Sequence, residues 1–122
     1  LLICSLLSAA QLGEYLAQAQ ELGLSALVEA HTEGEVRQAL AAGAEIIGVN
    51  NRNLKDFSVN PVNSLRLRDA IPASKIFVAE SGIQCAADTQ ALKQAGVQAV
   101  LVGEALMRSA DAAAILKEMR DA

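Results

Sequence analysis

The chain has 122 residues, 52% of them hydrophobic and 20% charged, which fits a single domain and is too apolar for a disordered segment. Ten basic against 14 acidic residues leave a formal net charge of −4, with no basic stripe. With only Tyr15, Phe57 and Phe77 as aromatic residues, that balance argues against a nucleic-acid partner, which needs clustered cations and stacking rings.

The opening Leu1-Leu2-Ile3-Cys4-Ser5-Leu6-Leu7 is apolar but far short of a membrane span, and it lacks the basic flank of a signal peptide. No membrane contact is expected, and Leu1 to Cys4 reads as a strand. The chain starts inside this run without Met, which points to a segment preceding it. Ser8 with Gln11 makes a capping box for a helix carrying Leu12, Tyr15, Leu16, Ala19 and Leu22 on one face, and Gly23 ends it. Leu24 to Ala30 is a second strand. Thr32 and Glu35 repeat the capping box before Val36, Ala39 and Leu40, and Gly43 supplies the left-handed residue after that helix.

Glu45 to Val49 is a third strand, and a polar stretch then leads to Asn60-Pro61, expected to cap and open a helix that stops near Ile71-Pro72. Lys75 to Ala79 is a fourth strand, followed by a helix around Ala87, Ala91, Leu92 and Ala95 that closes at Gly96. Val97 to Val102 is a fifth strand, and Ser109 is expected to cap a last helix bearing Ala112, Ile115, Leu116 and Met119. Ala39 to Gly43 followed by Ile46-Ile47-Gly48 echoes Ala91 to Gly96 followed by Leu101-Val102-Gly103. Repeated helix, glycine and buried strand belong to an α/β fold with a parallel sheet, either doubly wound or a βα barrel. A closed (β/α)8 barrel needs about 200 residues or more, so this chain has room for about five units.

Ligands of such folds bind at the carboxyl ends of the strands. Those ends read Val28-Glu29-Ala30-His31, Gly48-Val49-Asn50-Asn51-Arg52-Asn53, Ala79-Glu80-Ser81-Gly82 and Val102-Gly103-Glu104. Glu29 and Glu80 are either solvated strand-end carboxylates or, if they face an apolar interior, carboxyls with pKa values raised for proton transfer. Asn50 and Arg52 share parity and can present an amide and a guanidinium to a substrate; alternatively Asn-Asn-Arg-Asn is a turn bonding its own backbone. Ser81-Gly82 and Gly103 can offer backbone N–H groups to an anion, as in the phosphate site after the last two strands of a barrel. His31 is turned away from Glu29 by strand alternation and reads as a packing or capping residue. Cys4 and Cys85 have no CxxC or Cys/His partners, so no disulfide framework or metal site is expected. Both read as buried apolar residues, and a reducing cytoplasm is the default compartment.

Leu27-Val28-Glu29-Ala30-His31, Ile47-Gly48-Val49-Asn50-Asn51-Arg52-Asn53-Leu54, Val78-Ala79-Glu80-Ser81-Gly82-Ile83 and Leu101-Val102-Gly103-Glu104-Ala105-Leu106-Met107 together resemble indole-3-glycerol-phosphate synthase in order and spacing. The resemblance covers essentially the whole chain, from the fourth strand of that family's (β/α)8 barrel to its last helix. It makes residues 1–122 the C-terminal portion of one incomplete TIM-barrel domain. The implied reaction closes the pyrrole ring of the phosphorylated substrate 1-(2-carboxyphenylamino)-1-deoxyribulose 5-phosphate, with loss of carbon dioxide and water, in tryptophan biosynthesis. It uses no cofactor and no metal.

Residue by residue, the resemblance makes Glu29 the fifth-strand proton-handling glutamate and Asn50 the amide that holds substrate and product. Arg52 holds the substrate's anionic end, with Leu27 and Val102 counted beside it as substrate contacts. Glu80 and Ser81 line the site and hold sugar hydroxyls, while Gly82, Gly103 and the Glu104 backbone form the phosphate cradle. The family's catalytic lysines lie on its first and third strands, which have no counterpart here. Lys75 stands at the wrong end of its strand and Lys93 and Lys117 lie in helices, so none replaces them, and Arg52 is the only well-placed cation. The chain alone is therefore expected to be inactive, and its two open strand edges to pair with the missing N-terminal half or with another copy. The competing readings are a non-catalytic phosphate-binding part-barrel, and another phosphate-binding barrel enzyme such as a phosphoribosylanthranilate isomerase relative.

Overall fold

The computed structural model describes residues 1–122. Strands β1 (Leu2–Ile3), β2 (Leu27–Ala30), β3 (Ile46–Asn50), β4 (Ile76–Glu80) and β5 (Ala99–Leu101) form a parallel sheet in the order 1-2-3-4-5. Helices α1 (Ala9–Glu21), α2 (Glu33–Ala41), α3 (Asn63–Leu67) and α4 (Ala86–Gln94) connect successive strands, and α5 (Glu104–Arg108) and α6 (Ala112–Asp121) follow β5. A doubly wound sheet reverses its strand order at a switch point; here each strand pairs only with its neighbours in sequence. With right-handed crossovers throughout, that order puts every connecting helix on one face, as in an arc of a βα barrel. No helix is long and apolar enough to cross a membrane.

Local signals explain most of the boundaries. Ser8 and Gln11 bond reciprocally at 3.2 and 3.0 Å at the start of α1, and Thr32 and Glu35 do the same at 3.2 and 3.4 Å before α2. Each box satisfies two N–H groups that the first turn leaves unpaired, typically worth about 1 kcal/mol. Gly43 and Gly96 adopt φ of 86° and 80°, where a side chain is strained. Beyond them Ala44 N–H donates to Ala39 O and Val97 N–H to Leu92 O, both at 3.0 Å, closing the helices in the same way. The repeat noted in the sequence is thus a repeat of helix ends.

Alternation along the strands divides the sheet into two faces. Val28, Ala30, Ile47, Val49, Phe77 and Ala79 point outward and are buried with Leu12, Val36, Ala39, Leu67 and Leu92 of the helices, forming the core. The opposite, inner face is half open, and Ile76 and Leu101 there are 47% and 50% exposed.

Several expected boundaries move. β1 ends at Ile3 because Cys4–Leu6 turns into a 3-10 helix, while β2 begins at Leu27 and β5 covers only Ala99–Leu101. Asn60 accepts from Val62 N–H at 3.3 Å, but α3 starts at Asn63. The last helix is capped by Asp111, which accepts from Ala114 N–H at 2.9 Å; Ser109 instead accepts from Asp111 N–H. Helix α5 was not expected at all, being too short to show a period. Cys85 is exposed rather than buried, because it occupies the first cap position of α4 beside Asp88; Cys4 is buried and its thiol donates to Glu35 O at 3.6 Å.

Candidate active site

Register brings the carboxyl ends of the strands into one layer. Glu29 pairs with Gly48, and Asn50 pairs with Glu80, which pairs in turn with Leu101. Residues paired across a ladder share a face, so Glu29, Gly48, Asn50 and Glu80 all belong to the inner face. Glu29 and Asn50 are each 6% exposed and Glu80 3%, so these are buried polar groups and not solvated strand ends. Asn50 Nδ2 donates to Glu29 Oε1 at 3.0 Å, while Asn50 Oδ1 accepts from Arg52 N–H at 2.9 Å. The stretch is thus a backbone-bonded turn, as one reading of it expected, and its Asn50 amide points into the interior at Glu29.

The Glu80 side chain lies across Gly48 toward Glu29. A Cβ added at Gly48 would overlap Glu80 Oε1 and sit 3.0 Å from its Cδ. A glycine inside a strand often marks such a close approach, a signal at Gly48 that the sequence reading did not use. Nothing in the chain donates to the buried Glu80 Oε1. Burial first, and then the charge of and a hydrogen bond with Glu29, push the Glu80 carboxyl up to about 8. Burial and the neighbouring Glu29 thus favour the protonated form of the Glu80 carboxyl.

Beyond β4 the backbone turns sharply, with Ser81 and Gly82 at φ of 63° and 71°. For serine this left-handed conformation is strained by roughly 1 kcal/mol or more. Asn51, 1% exposed, holds it in place: its Nδ2 donates to Ser81 O at 3.0 Å, and its Oδ1 accepts from Ser64 N–H at 2.9 Å and Ser64 Oγ at 2.8 Å. Asn51 is a positioning residue whose long-range partners no local pattern displays. A Cβ at Gly82 would lie 2.7 Å from Val59 Cγ1, so Gly82 also admits the loop that carries Arg52. His31 is not turned away from Glu29 as alternation implied, since both line the smaller cavity, but its Nδ1 bonds the Asn50 carbonyl at 2.7 Å and must carry the proton, because a carbonyl only accepts.

A cleft of about 660 Å³ opens at this end of the sheet, its walls including Arg52, Glu80, Ser81, Gly82, Val102, Gly103 and Glu104. Seven of the ten expected site residues thus meet around one space. Glu29 lines a separate cavity of about 110 Å³ with His31, Glu35 and Lys55, while Glu80, which interacts with Glu29, lines the larger cleft. Leu27 packs on the inner face beneath Glu29, near Gly48. Two cations escaped the sequence reading. Arg108, from the unexpected α5, lines the large cleft, so Arg52 is not the only cation there; Lys55, in the loop after β3, reaches the smaller cavity. No group of three or more His, Cys, Asp or Glu stands close enough to hold a metal ion.

Comparison with solved structures gives the fold. The chain superposes on 3-hexulose-6-phosphate synthase from Salmonella typhimurium with a TM-score of 0.81 at 18% identity, covering 98% of this chain and 58% of that one. Sequence comparison gives more. The proteins named indole-3-glycerol phosphate synthase from Ruminiclostridium cellulolyticum and Lactiplantibacillus plantarum are each 55% identical over 98% of this chain. The one from Endomicrobium trichonymphae is 54% identical over 99%. The chain spans about half the length of these relatives, 46%, 46% and 47% respectively. The family model described as indole-3-glycerol phosphate synthase matches residues 1–119. With a match of that extent and identity above one half along nearly all of its length, the chain belongs to the indole-3-glycerol phosphate synthase family.

Proposed function

We propose that the barrel containing these residues closes the indole ring of indole-3-glycerol phosphate from 1-(2-carboxyphenylamino)-1-deoxyribulose 5-phosphate, releasing carbon dioxide and water. The observation that carries this reading is the buried Glu29–Asn50–Glu80 layer beside a cleft whose walls Glu80 shares with Arg52, Gly82 and Gly103, in a chain of this family. Glu29 takes up or delivers the proton in ring closure or dehydration. Asn50 fixes the Glu29 carboxyl and faces the substrate, and the neutral Glu80 donates a hydrogen bond to Glu29 or to a sugar hydroxyl. Ser81 lines the site beside it. Arg52 and the backbone N–H groups of Gly82, Gly103 and Glu104 hold the phosphate, and Leu27 and Val102 supply apolar contacts.

Alone, the 122-residue chain is inactive. Only Arg52, Arg108 and Lys55 bring positive charge to the two cavities, and no lysine matches the family's catalytic lysines. The edges β1 and β5 and the exposed inner-face Ile76 and Leu101 favour pairing with further strands, from the rest of the barrel or from a second copy. A full-length protein that joins the family's first three βα units to these residues is expected to restore growth of a tryptophan auxotroph lacking the synthase. With Glu29→Gln it should not. Failure of the unsubstituted protein overturns the activity, and growth with Glu29→Gln overturns the role of Glu29.

A further inference from the structure

Glu104 makes an unusual neighbour for a phosphate site. Its carboxylate stands in the cleft and is held by two guanidinium groups from different elements: Arg52 Nη2 to Oε2 and Arg108 Nη2 to Oε1, each at 3.1 Å. Arg52 is anchored from behind, since its Nη1 donates to Phe57 O at 3.3 Å and its backbone bridges Val59. Arg108 comes from the far end of α5. One guanidinium on each of two oxygens is the donor pattern that suits a phosphate as well as a carboxylate.

We propose that Arg52 and Arg108 form a clamp for the phosphate group of the substrate, and that Glu104 closes this clamp as an internal anion when no phosphate is bound. The inference rests on the phosphate reading of the cleft and adds two residues to it: Arg108 as a ligand and the Glu104 side chain as a competitor. The three side chains lie 32%, 80% and 59% exposed for Arg52, Arg108 and Glu104, so these ion pairs are weak and readily exchanged. With Glu104 in place the clamp carries a net charge of one; once that carboxylate swings toward solvent, both cations face the incoming dianion. Gly82 and Gly103 border the same space, and a Cβ at Gly103 would meet nothing, so room for the phosphate is already present. Glu104 thus sets the affinity for the phosphorylated end and keeps an unliganded cation pair from capturing other anions.

The test is a titration of the 122-residue chain with inorganic phosphate at low ionic strength and mildly alkaline pH, followed by backbone amide shifts of Gly82 and Gly103. Releasing a competitor held by two exposed ion pairs predicts that Glu104→Gln binds phosphate roughly three- to tenfold more tightly than the unsubstituted chain. Adding Arg108→Gln to Glu104→Gln should abolish that gain. If the unsubstituted chain binds phosphate and Glu104→Gln binds it no more tightly, Glu104 is not a competitor, though the phosphate reading stands. A double variant as tight as Glu104→Gln removes Arg108 from the clamp. Absence of any shift at Gly82 and Gly103 in every variant overturns the clamp and the phosphate site together.

Discussion

Replacing Gly48 with alanine puts a methyl group where the Glu80 carboxyl lies, overlapping Oε1 and standing 3.2 Å from Leu27 Cδ1. The carboxyl is the far end of a flexible side chain, so it gives way before the strand does, and it is expected to withdraw from Glu29. In the unsubstituted protein burial first and Glu29 second push the Glu80 carboxyl from 4.5 up to about 8. A carboxyl whose folded pKa is raised binds more protons folded than unfolded between those two values. Its contribution to stability is complete below 4.5 and is lost as pH rises through about 8. At roughly 1.4 kcal/mol per pKa unit the whole shift amounts to roughly 5 kcal/mol, which solvent screening at the open cleft reduces to about 2–3 kcal/mol.

Urea unfolding across that pH range, with Glu80→Gln as the reference lacking the titrating group, should therefore show a fall of about 2–3 kcal/mol that belongs to Glu80. Gly48→Ala should lose about half of this slope, since the Glu29 part goes and part of the burial stays, and should cost about 1–2 kcal/mol at low pH from overpacking. A Gly48→Ala slope equal to the unsubstituted one would refute the idea that Gly48 is what lets the two carboxyls meet.

Glu29→Gln should lower the Glu80 pKa yet leave it above 4.5, read by carbon NMR of the carboxyl, because burial is the larger cause. Asn51→Ala removes the bonds to Ser81 O, Ser64 N–H and Ser64 Oγ from a buried site and should cost about 2–4 kcal/mol in urea unfolding. Ser81→Gly relieves a left-handed serine and should stabilise the fold by about 0.5–1 kcal/mol in the same measurement. Toward a thiol reagent, exposed Cys85 should react at once, whereas Cys4, buried and pushed up to about 11, should react only on unfolding. In sedimentation, the open edges predict association at micromolar concentration, and a well-behaved monomer would count against it.

The elements that were legible in the sequence are those written in local chemistry. Ser8 with Gln11, Thr32 with Glu35, and the glycines at 43 and 96 each specify a boundary through residues within a few positions, and the structure places boundaries there. Helix α3 starts later than Asn60-Pro61 implied because the Ser64 N–H, which would bond Asn60 O in a helix begun there, donates instead to Asn51 Oδ1. At the site, the polar strand ends already singled out Glu29, Asn50 and Glu80, but that they share one face follows from the register that pairs Glu29 with Gly48 and Asn50 with Glu80. The meeting of the two glutamates depends on Gly48 of the strand between them, and the Ser81 turn depends on Asn51 30 residues earlier. Arg108 stayed hidden because α5, five residues long, has no periodicity to read.

The most direct test of the whole account is turnover by a barrel rebuilt from two pieces: this chain co-refolded with a fragment carrying the family's first three βα units, followed by the fluorescence of indole-3-glycerol phosphate. The account predicts product only when both pieces are present, and its loss with Glu29→Gln. Turnover by the 122-residue chain alone would contradict it, as would a correctly assembled pair, shown by sedimentation, that forms no product.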